Sequence, residues 1–431
     1  MIPWRWSCIL FALLLLSGCA RKPEDKRVHL RFWHAWGGYE AKTLEGLVNE
    51  YNAAHPNVVV EPSFLSIGDK LLAAIAGGKP PDIATVWTYM IAAMGDSGCF
   101  LPLEDRLRQA GITEADYLPN VWKHGMNGPH RWGIATTLNT NGIYYNKSVV
   151  RAAGLDADHP PTNIMELETW AKKLTRYNQE GTLQQLGFCP SLTDSWLYNF
   201  GGDQVDERTG KFAFDQPGNV RALNWMKQMV DNIGGMQNYR RFNSSLGKAD
   251  SPENPLFTGK IAMKEDGQWV VQFFHEYGPD VDYGIFPLPA EKAGDTGWTT
   301  FGGSFWCIPV GTKHPDEAWD FIKWLSDAPQ SARFCAALKN IPPRKAAMEH
   351  PAFRKVRDDP KFEFFVKLIA DGRARSPVTS PVGQQVRTAL DDSVQAVFSG
   401  SMPAADFLKN LDRTLNAEVV RSAALLAADE R

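Results

Sequence analysis

Between residues 28 and 86 the hydrophobic period switches four times, and this constrains the fold more than any other feature of the sequence. VHLRFW (28–33) alternates apolar and polar residues as far as Trp33, as a strand does. Leu44, Leu47, Val48 and Tyr51 then recur at helical spacing after Tyr39. A second strand at 58–61 follows the turn His55-Pro56-Asn57. A short helix at 70–76 ends in Gly77-Gly78, and DIATV (82–86) forms a third strand after Pro80-Pro81. Strand–helix–strand–helix alternation at this pitch predicts a parallel α/β sheet.

The pattern continues downstream. A helix beginning at Pro161-Thr162 turns Leu167, Trp170, Ala171 and Leu174 to one side, and residues 220–230 repeat the stripe. Residues 259–263 are expected as a strand with a helix at 269–274 after it. YGIFPLP (283–289) and SFWCIPV (304–310) bracket a Gly/Thr-rich loop, and PDEAWDFIKWL (315–325) is a helix. RWGIATTLNTNGIYYNKSVV (131–150) has no helical stripe and suits paired strands or an interdomain crossing. The C-terminal third is mostly helical. Trp170 and Trp324 are assigned to packing. A chain of 431 residues is long enough for two domains or one bilobed unit.

The first residues are a leader. MIPWRWSCILFALLLLSGCA carries one charge, Arg5, then an apolar run over 8–16, too short to span a bilayer and right for a secretory h-region. It closes in Leu16-Ser17-Gly18-Cys19, small residues before a cysteine, which resembles the lipobox of bacterial lipoproteins. Cys19 would carry lipid, residues 1–18 would be removed, and the polar stretch 19–27 would be a tether. No later segment is long and apolar enough to span. Four cysteines remain, Cys99, Cys189, Cys307 and Cys335; export permits disulfides, and spacing does not choose among the three pairings.

Composition excludes several classes. A net charge of −3 without a Lys/Arg run gives no support for a nucleic-acid partner. There is no CxxC, HExxH or Cys/His cluster, so neither a metal nor another cofactor is expected. Fifteen tryptophans stand out, because each indole needs packing and a partner for its N–H.

In parallel α/β sheets ligands sit beyond the carboxyl ends of the strands. That rule divides the aromatics of RFWHAWGGYE (31–40). Phe32 shares a face with Val28 and Leu30 and belongs to the core. Trp36 and Gly37 lie past the strand end, with Tyr39 and Glu40 opening the next helix. Trp87, Thr88 and Tyr89 lie just past DIATV. Two such loops would face one crevice, and aromatic faces beside carboxylates suit a sugar, whose C–H face stacks while its hydroxyls hydrogen-bond.

FWHAW near the mature start, PPDIATVW, GIYYNKSVV, GKIAMKEDGQWVV (259–271), FGGSFWCIP, PDEAWDFIKWL and IPPRKAA, in that order after a lipobox, resemble the family 1 extracellular solute-binding proteins of ABC importers. The tail from Ser376, with VFSGSMPAADFLKNLDRTLN, is similar to that family's closing helices, so the resemblance covers nearly all of the mature chain. It implies an α/β, two-lobed, type II periplasmic-binding-protein-like fold with a ligand cleft between lobes joined by hinge segments. The N-terminal lobe would hold 28–137 and 286–311, and the C-terminal lobe 138–285 and 312–431. It implies capture of a mono- to oligosaccharide by hinge closure and delivery to permease subunits, by a monomer held at the cell envelope through Cys19. Site positions that it carries over are Trp36, Gly37, Glu40, Trp87, Tyr89, Asn139, Trp196, Asp266, Trp269, Gly303, Ser304 and Arg344. Asn139 stands where some relatives have an acidic residue.

Two alternatives accompany this reading. FWHAW also resembles the glycerol-phosphate branch, whose ligand would want basic residues in the cleft, Arg344 being the candidate. A secreted glycoside-acting enzyme would need a carboxylate pair; nothing in the sequence marks two carboxylates as one, and there is no nucleophile elbow.

Overall fold

The structure is a computed structural model that describes residues 25–429, apart from 66–67, 119–120, 123–125, 128–129, 192–193, 207, 376–379 and 381. The leader, Cys19, most of the tether and Ser376 lie outside the described residues.

The first lobe follows the alternation closely. β1 (Val28–His34) buries Leu30, Phe32 and His34 on one face. α1 (Gly38–Ala54) buries Leu44, Leu47, Val48 and Tyr51. β2 (Val58–Phe64), α2 (Asp69–Ala76), β3 (Ile83–Trp87) and α3 (Thr88–Asp96) follow. β1 lies parallel between β2 and β3, with Val28 opposite Val58 and Phe32 opposite Ile83.

The stretch 131–150 is neither a hairpin nor a loop. It is one long strand, β4 (Ile134–Asn146), running into a helix at Lys147–Ala152. Beyond it come α4 (Ile164–Leu174), capped by the Asn163 side chain, α5 (Asp194–Asn199) and α6 (Pro217–Asp231). β5 (Met263–Gly267) starts where the 259–263 strand was expected to end, and α7 (Val270–Tyr277) follows it. β6 (Tyr283–Phe286) and β7 (Thr299–Cys307) complete the strands that connect the lobes.

Among the described residues one eight-stranded sheet runs β5-β4-β7-β3-β1-β2, with β6 also paired to β4 and a two-residue strand, Ala374–Arg375, paired to β7. Its single path conceals two lobes. The first half of β4 pairs antiparallel with β7, Ile134 opposite Trp306 and Thr140 opposite Phe301. The second half pairs with β5 and β6. In that half Tyr145 packs edge-on against Trp170 of α4 and against Phe286, while Tyr144 on the opposite face stacks on Phe274 and Phe365. Both faces of the second lobe's strands are therefore covered, as period-two alternation of large residues requires.

The expected division of the chain is changed at two places. α8 (Pro315–Leu325) and α9 (Ala328–Leu338) pack on the first lobe, although 312–431 was expected in the second. Phe321 meets Phe32 at 5.7 Å and Tyr51 at 4.8 Å, and the Thr312 hydroxyl donates to Asp82, whose other oxygen accepts from the Arg31 N–H. Phe286 and Leu288, expected in the first lobe, join the second lobe's core with Trp196 and Met226, and the Ala290 carbonyl accepts the Ile164 N–H of α4. The helix at Pro360–Ala370 packs Phe365 on Tyr144 in the second half of β4, and the long C-terminal helix at Ala404–Asp429 adds Leu408, Leu411 and Leu415 to the cluster around Trp196.

Trp170 is buried, and Trp324 is half-buried against Tyr51 at 5.3 Å. Cys99, Cys189, Cys307 and Cys335 are all free thiols. No described helix is long and apolar enough to cross a membrane.

Because Phe321 ties a late helix to the first strand, Phe321→Ala is expected to cost about 3–5 kcal/mol, the usual range for emptying a buried aromatic site. Urea unfolding followed by fluorescence should show a lower midpoint for the first lobe. An unchanged midpoint would contradict this placement of α8.

Candidate functional site

The carboxyl ends of β1, β2 and β3 form one wall, but not with the side chains that the sequence suggested. After β1 the chain bends into α1, and this drops the Trp36 indole onto α9. Trp36 is 4 % exposed and meets Phe334 edge-on at 5.1 Å, so it is core. The exposed aromatic here is Phe64 at the end of β2, 62 % exposed, with its ring 3.5 Å from where a Cβ on Gly37 would stand. Its strand, VVVEPSF, carries no mark in the sequence that its last residue faces outward.

Glu40 lies in the first turn of α1. Burial raises its carboxyl to about 7, and the Asp250 charge adds to the rise. Asp250 belongs to the second lobe, since its loop is tied to the end of β4 by the Asn146 amide donating to Leu256. Tyr39 beside it is raised by burial, then by Glu40, Tyr277 and Glu276, the last two at the end of α7. The start of α1 therefore faces the second lobe. Trp87 is the last residue of β3, opposite Ser304, and is half-buried; Tyr89 is 42 % exposed.

The middle of the site is where β4 and β7 cross between lobes. Asn139 accepts the Gly302 N–H at 3.2 Å. Gly303 and Ser304 do not face a ligand. A Cβ on Gly303 would stand 2.2 Å from the Thr137 carbonyl oxygen, so this glycine serves close strand packing, and its own carbonyl accepts from the Thr88 hydroxyl. The Ser304 hydroxyl is fully buried, bonded to those of Thr136 at 2.6 Å and Thr137 at 2.8 Å.

In the second lobe Trp269 caps α7 and is half-buried. A Cβ on Gly267 would lie 2.0 Å from its ring, so Gly-x-Trp is a glycine making room for an indole folded back over it. Asp266 is spent locally, one oxygen on Lys264 at 2.7 Å and the other on the Gly267 N–H. Trp196 is 0 % exposed; its indole N–H donates to Glu265 at 2.8 Å, and Phe188 and Trp225 pack around it. Arg344 donates to the Ser326 carbonyl and lies 3.9 Å from Asp327, fastening the α8–α9 turn. These three are structural.

One constellation escaped the sequence. Arg375 places its guanidinium over Trp298 at 4.4 Å and Tyr198 at 4.8 Å, and pairs with Asp203 at 3.0 Å. It sits on the two-residue strand opposite Thr300, two residues from Gly302, so the group borders the crossing. Ser195 on α5 accepts the Thr300 N–H at 3.1 Å. Burial raises the Asp194 carboxyl nearby, opposed by Gln204 and Arg387. Four separate segments supply this group, and no spacing rule joins them. Among the described residues no cluster of His, Cys, Asp and Glu could hold a metal.

A family model described as bacterial extracellular solute-binding protein matches residues 46–363. The chain belongs to this family. The family's proteins bind solutes for ABC importers and are not enzymes, and this solute-binding protein is the extracytoplasmic component of such an importer. It is 22 % identical over 403 residues to the sn-glycerol-3-phosphate-binding periplasmic protein UgpB of Escherichia coli K12, covering 86 % of this chain and 87 % of that one. It is 22 % identical over 368 residues to the maltotriose-binding protein of Pyrococcus abyssi, covering 84 % and 76 %. Among solved structures, CpMnBP1 with mannobiose bound is similar at TM-score 0.80 and 28 % identity, covering 90 % of this chain and 99 % of the other. The solute-binding protein thus has the type II two-lobed fold.

Two stability measurements check the geometry. Trp36→Ala should cost about 3–5 kcal/mol as a core truncation, whereas Phe64→Ala should stay within about 0.5 kcal/mol, as exposed substitutions do. Equal losses in chemical denaturation would put both rings in the same environment. For Glu40, the folded state holds its proton more tightly than the unfolded chain. Its contribution to stability is present below 4.5 and lost as pH rises through about 7. Glu40→Gln should therefore match the wild type at pH 4 and exceed it by about 1–3 kcal/mol at pH 8. A difference independent of pH would refute the raised carboxyl.

Proposed function

We propose that the captured solute is a carbohydrate, held between the lobes by Phe64, Glu40 and Tyr89 on one side and by Trp269 and the Arg375 group on the other. Asn139 and Trp87 lie between them, and Gly37 lets Phe64 lie close to the backbone. The observation that carries this reading is charge matching. Arg375 is paired with Asp203, Lys264 with Asp266 and Arg387 with Asp391. Glu40 and Asp250 add acidic groups from opposite lobes, the Glu40 carboxyl raised to about 7 by burial and by Asp250. A phosphate dianion seeks uncompensated cations. A neutral polyol seeks flat rings and paired polar groups that donate and accept, which is what these residues present. The mannobiose complex of a 28 % identical protein supports the same ligand class.

Capture by hinge closure follows from two lobes joined through β4 and β7. The mature protein would begin at Cys19, acylated, and act as a monomer at the membrane face; the sequence Leu16-Ser17-Gly18-Cys19 supports this anchor. The glycerol-phosphate reading rests on the resemblance of FWHAW to that branch and on the UgpB relative, and its sequence candidate, Arg344, is committed to Ser326.

A thermal-shift screen with mannobiose, mannotriose, maltose and sn-glycerol 3-phosphate decides between the two. A ligand at a hundred times its Kd stabilises by about 2.7 kcal/mol, so at least one saccharide should raise the melting temperature by several degrees. Arg375→Ala should abolish most of that rise. A response to sn-glycerol 3-phosphate alone would overturn the carbohydrate assignment.

A further inference from the structure

Gln268 lies between two site residues, Gly267 and Trp269, yet contributes nothing to either wall. It is 0 % exposed, and three of the four hydrogen bonds that its carboxamide can make run to the crossing and its neighbour. Its Oε1 accepts the Thr140 N–H at 2.9 Å. Its Nε2 donates to the Leu138 carbonyl at 3.1 Å and to Asn340 Oδ1 at 2.7 Å. Gln268 and these partners belong to different bodies. Leu138 and Thr140 flank Asn139, where β4 leaves the first lobe, and Asn340 ends the segment after α9, which packs on the first lobe. Gln268 itself stands at the junction of β5 and α7 in the second lobe.

The edge of β4 facing away from β7 explains why a side chain is needed. At Leu138 that edge is paired with the backbone of Ile341, 2.7 Å and 3.0 Å in the two directions. From Asn141 onward it is paired with β5. Between the two lies a gap in the ladder, and a buried backbone N–H left there would cost as much as a lost hydrogen bond. The Gln268 amide fills it, acting as one residue of strand that belongs to the other lobe.

We infer that Gln268 is a positioning residue for hinge closure. Its carboxamide is the pivot that holds α7 and Trp269 in fixed register with the crossing strand, so that the lobes rotate about one axis instead of rocking over a range of angles. A buried polar group bonded on both its oxygen and its nitrogen in this way specifies a conformation more than it adds stability. The inference concerns the empty protein and stands apart from the identity of the ligand.

The experiment places spin labels through Asn49→Cys on α1 and Lys173→Cys on α4, both exposed, and measures the interlobe distance distribution without ligand. Gln268→Met keeps the bulk and removes all three bonds; it should broaden the distribution by about twofold or more as the local ladder opens. Asn340→Leu removes one bond and should broaden it less. Gln268→Glu adds a discriminating readout, because a protonated carboxyl both accepts and donates while a carboxylate only accepts. Its distribution should be broad at pH 8 and narrow toward the wild type at pH 5. If Gln268→Met melts lower but keeps the wild-type width, or fails to fold while Asn340→Leu and Gln268→Glu keep that width at both pH values, the residue is structural and the pivot is refuted.

Discussion

The antiparallel pairing of β4 with β7 is the interaction on which the rest of the molecule depends. These two strands are hydrogen-bonded to each other from Trp306 and Ile134 to Phe301 and Thr140, and each then takes different partners at its two ends. A lobe boundary drawn across a strand pair, in place of a loop, keeps backbone groups satisfied on both sides of the joint. It also limits how the lobes can move, since a paired ribbon twists far more readily than it shears. Glycine at 302 and 303 suits that ribbon. One lies against Asn139, and the other has no space for a Cβ beside Thr137.

The chemistry at the cleft follows from this joint. The carboxyl ends of parallel strands bring Phe64, Glu40 and Tyr89 to one side because each follows its strand into a helix start or loop. The second lobe answers with residues from β5, α5, the loop before β7 and the strand at Ala374–Arg375. β7 gathers the last three of these, with Thr300 bonded to Ser195 and opposite Arg375, while β5 pairs with β4. Glu40 shows the electrostatic cost of this meeting: its own burial raises its carboxyl, and the Asp250 charge from the other lobe adds to the rise.

Periodicity made most of the elements legible. Leu44, Leu47, Val48 and Tyr51 are buried where the helical stripe put them, and Phe32 is core as its strand face required. Position relative to a strand end was less informative about direction. Trp36 and Trp87 both stand at strand ends, yet Trp36 is pulled into the core by Phe334, a residue almost 300 positions away. Trp196 was placed among contacts by resemblance and is instead the anchor of an aromatic cluster with Trp225 and Phe188, its N–H satisfied by a buried glutamate. Gly303 and Ser304 were carried over as ligand contacts by resemblance and lie inside the strand pair, with no room for a Cβ at 303 and the Ser304 hydroxyl bonded to Thr136 and Thr137. The Arg375 group could not be read, because its members are separated by as many as 177 positions and share no period.

The four free thiols bear on how this chain reaches its folded state. Cys307 and Cys335 are fully buried, and burial raises every one of the four thiols above its ordinary range. Thiol oxidation proceeds through the thiolate, so burial in the folded molecule suppresses the reactive form of each of these sulfurs. The unfolded chain has no such shelter. An exported protein with four unpaired cysteines among its described residues must pack them away faster than an oxidising compartment can couple them, and the two lobes, which draw on distant segments to close their cores, make that a race between topology and oxidant.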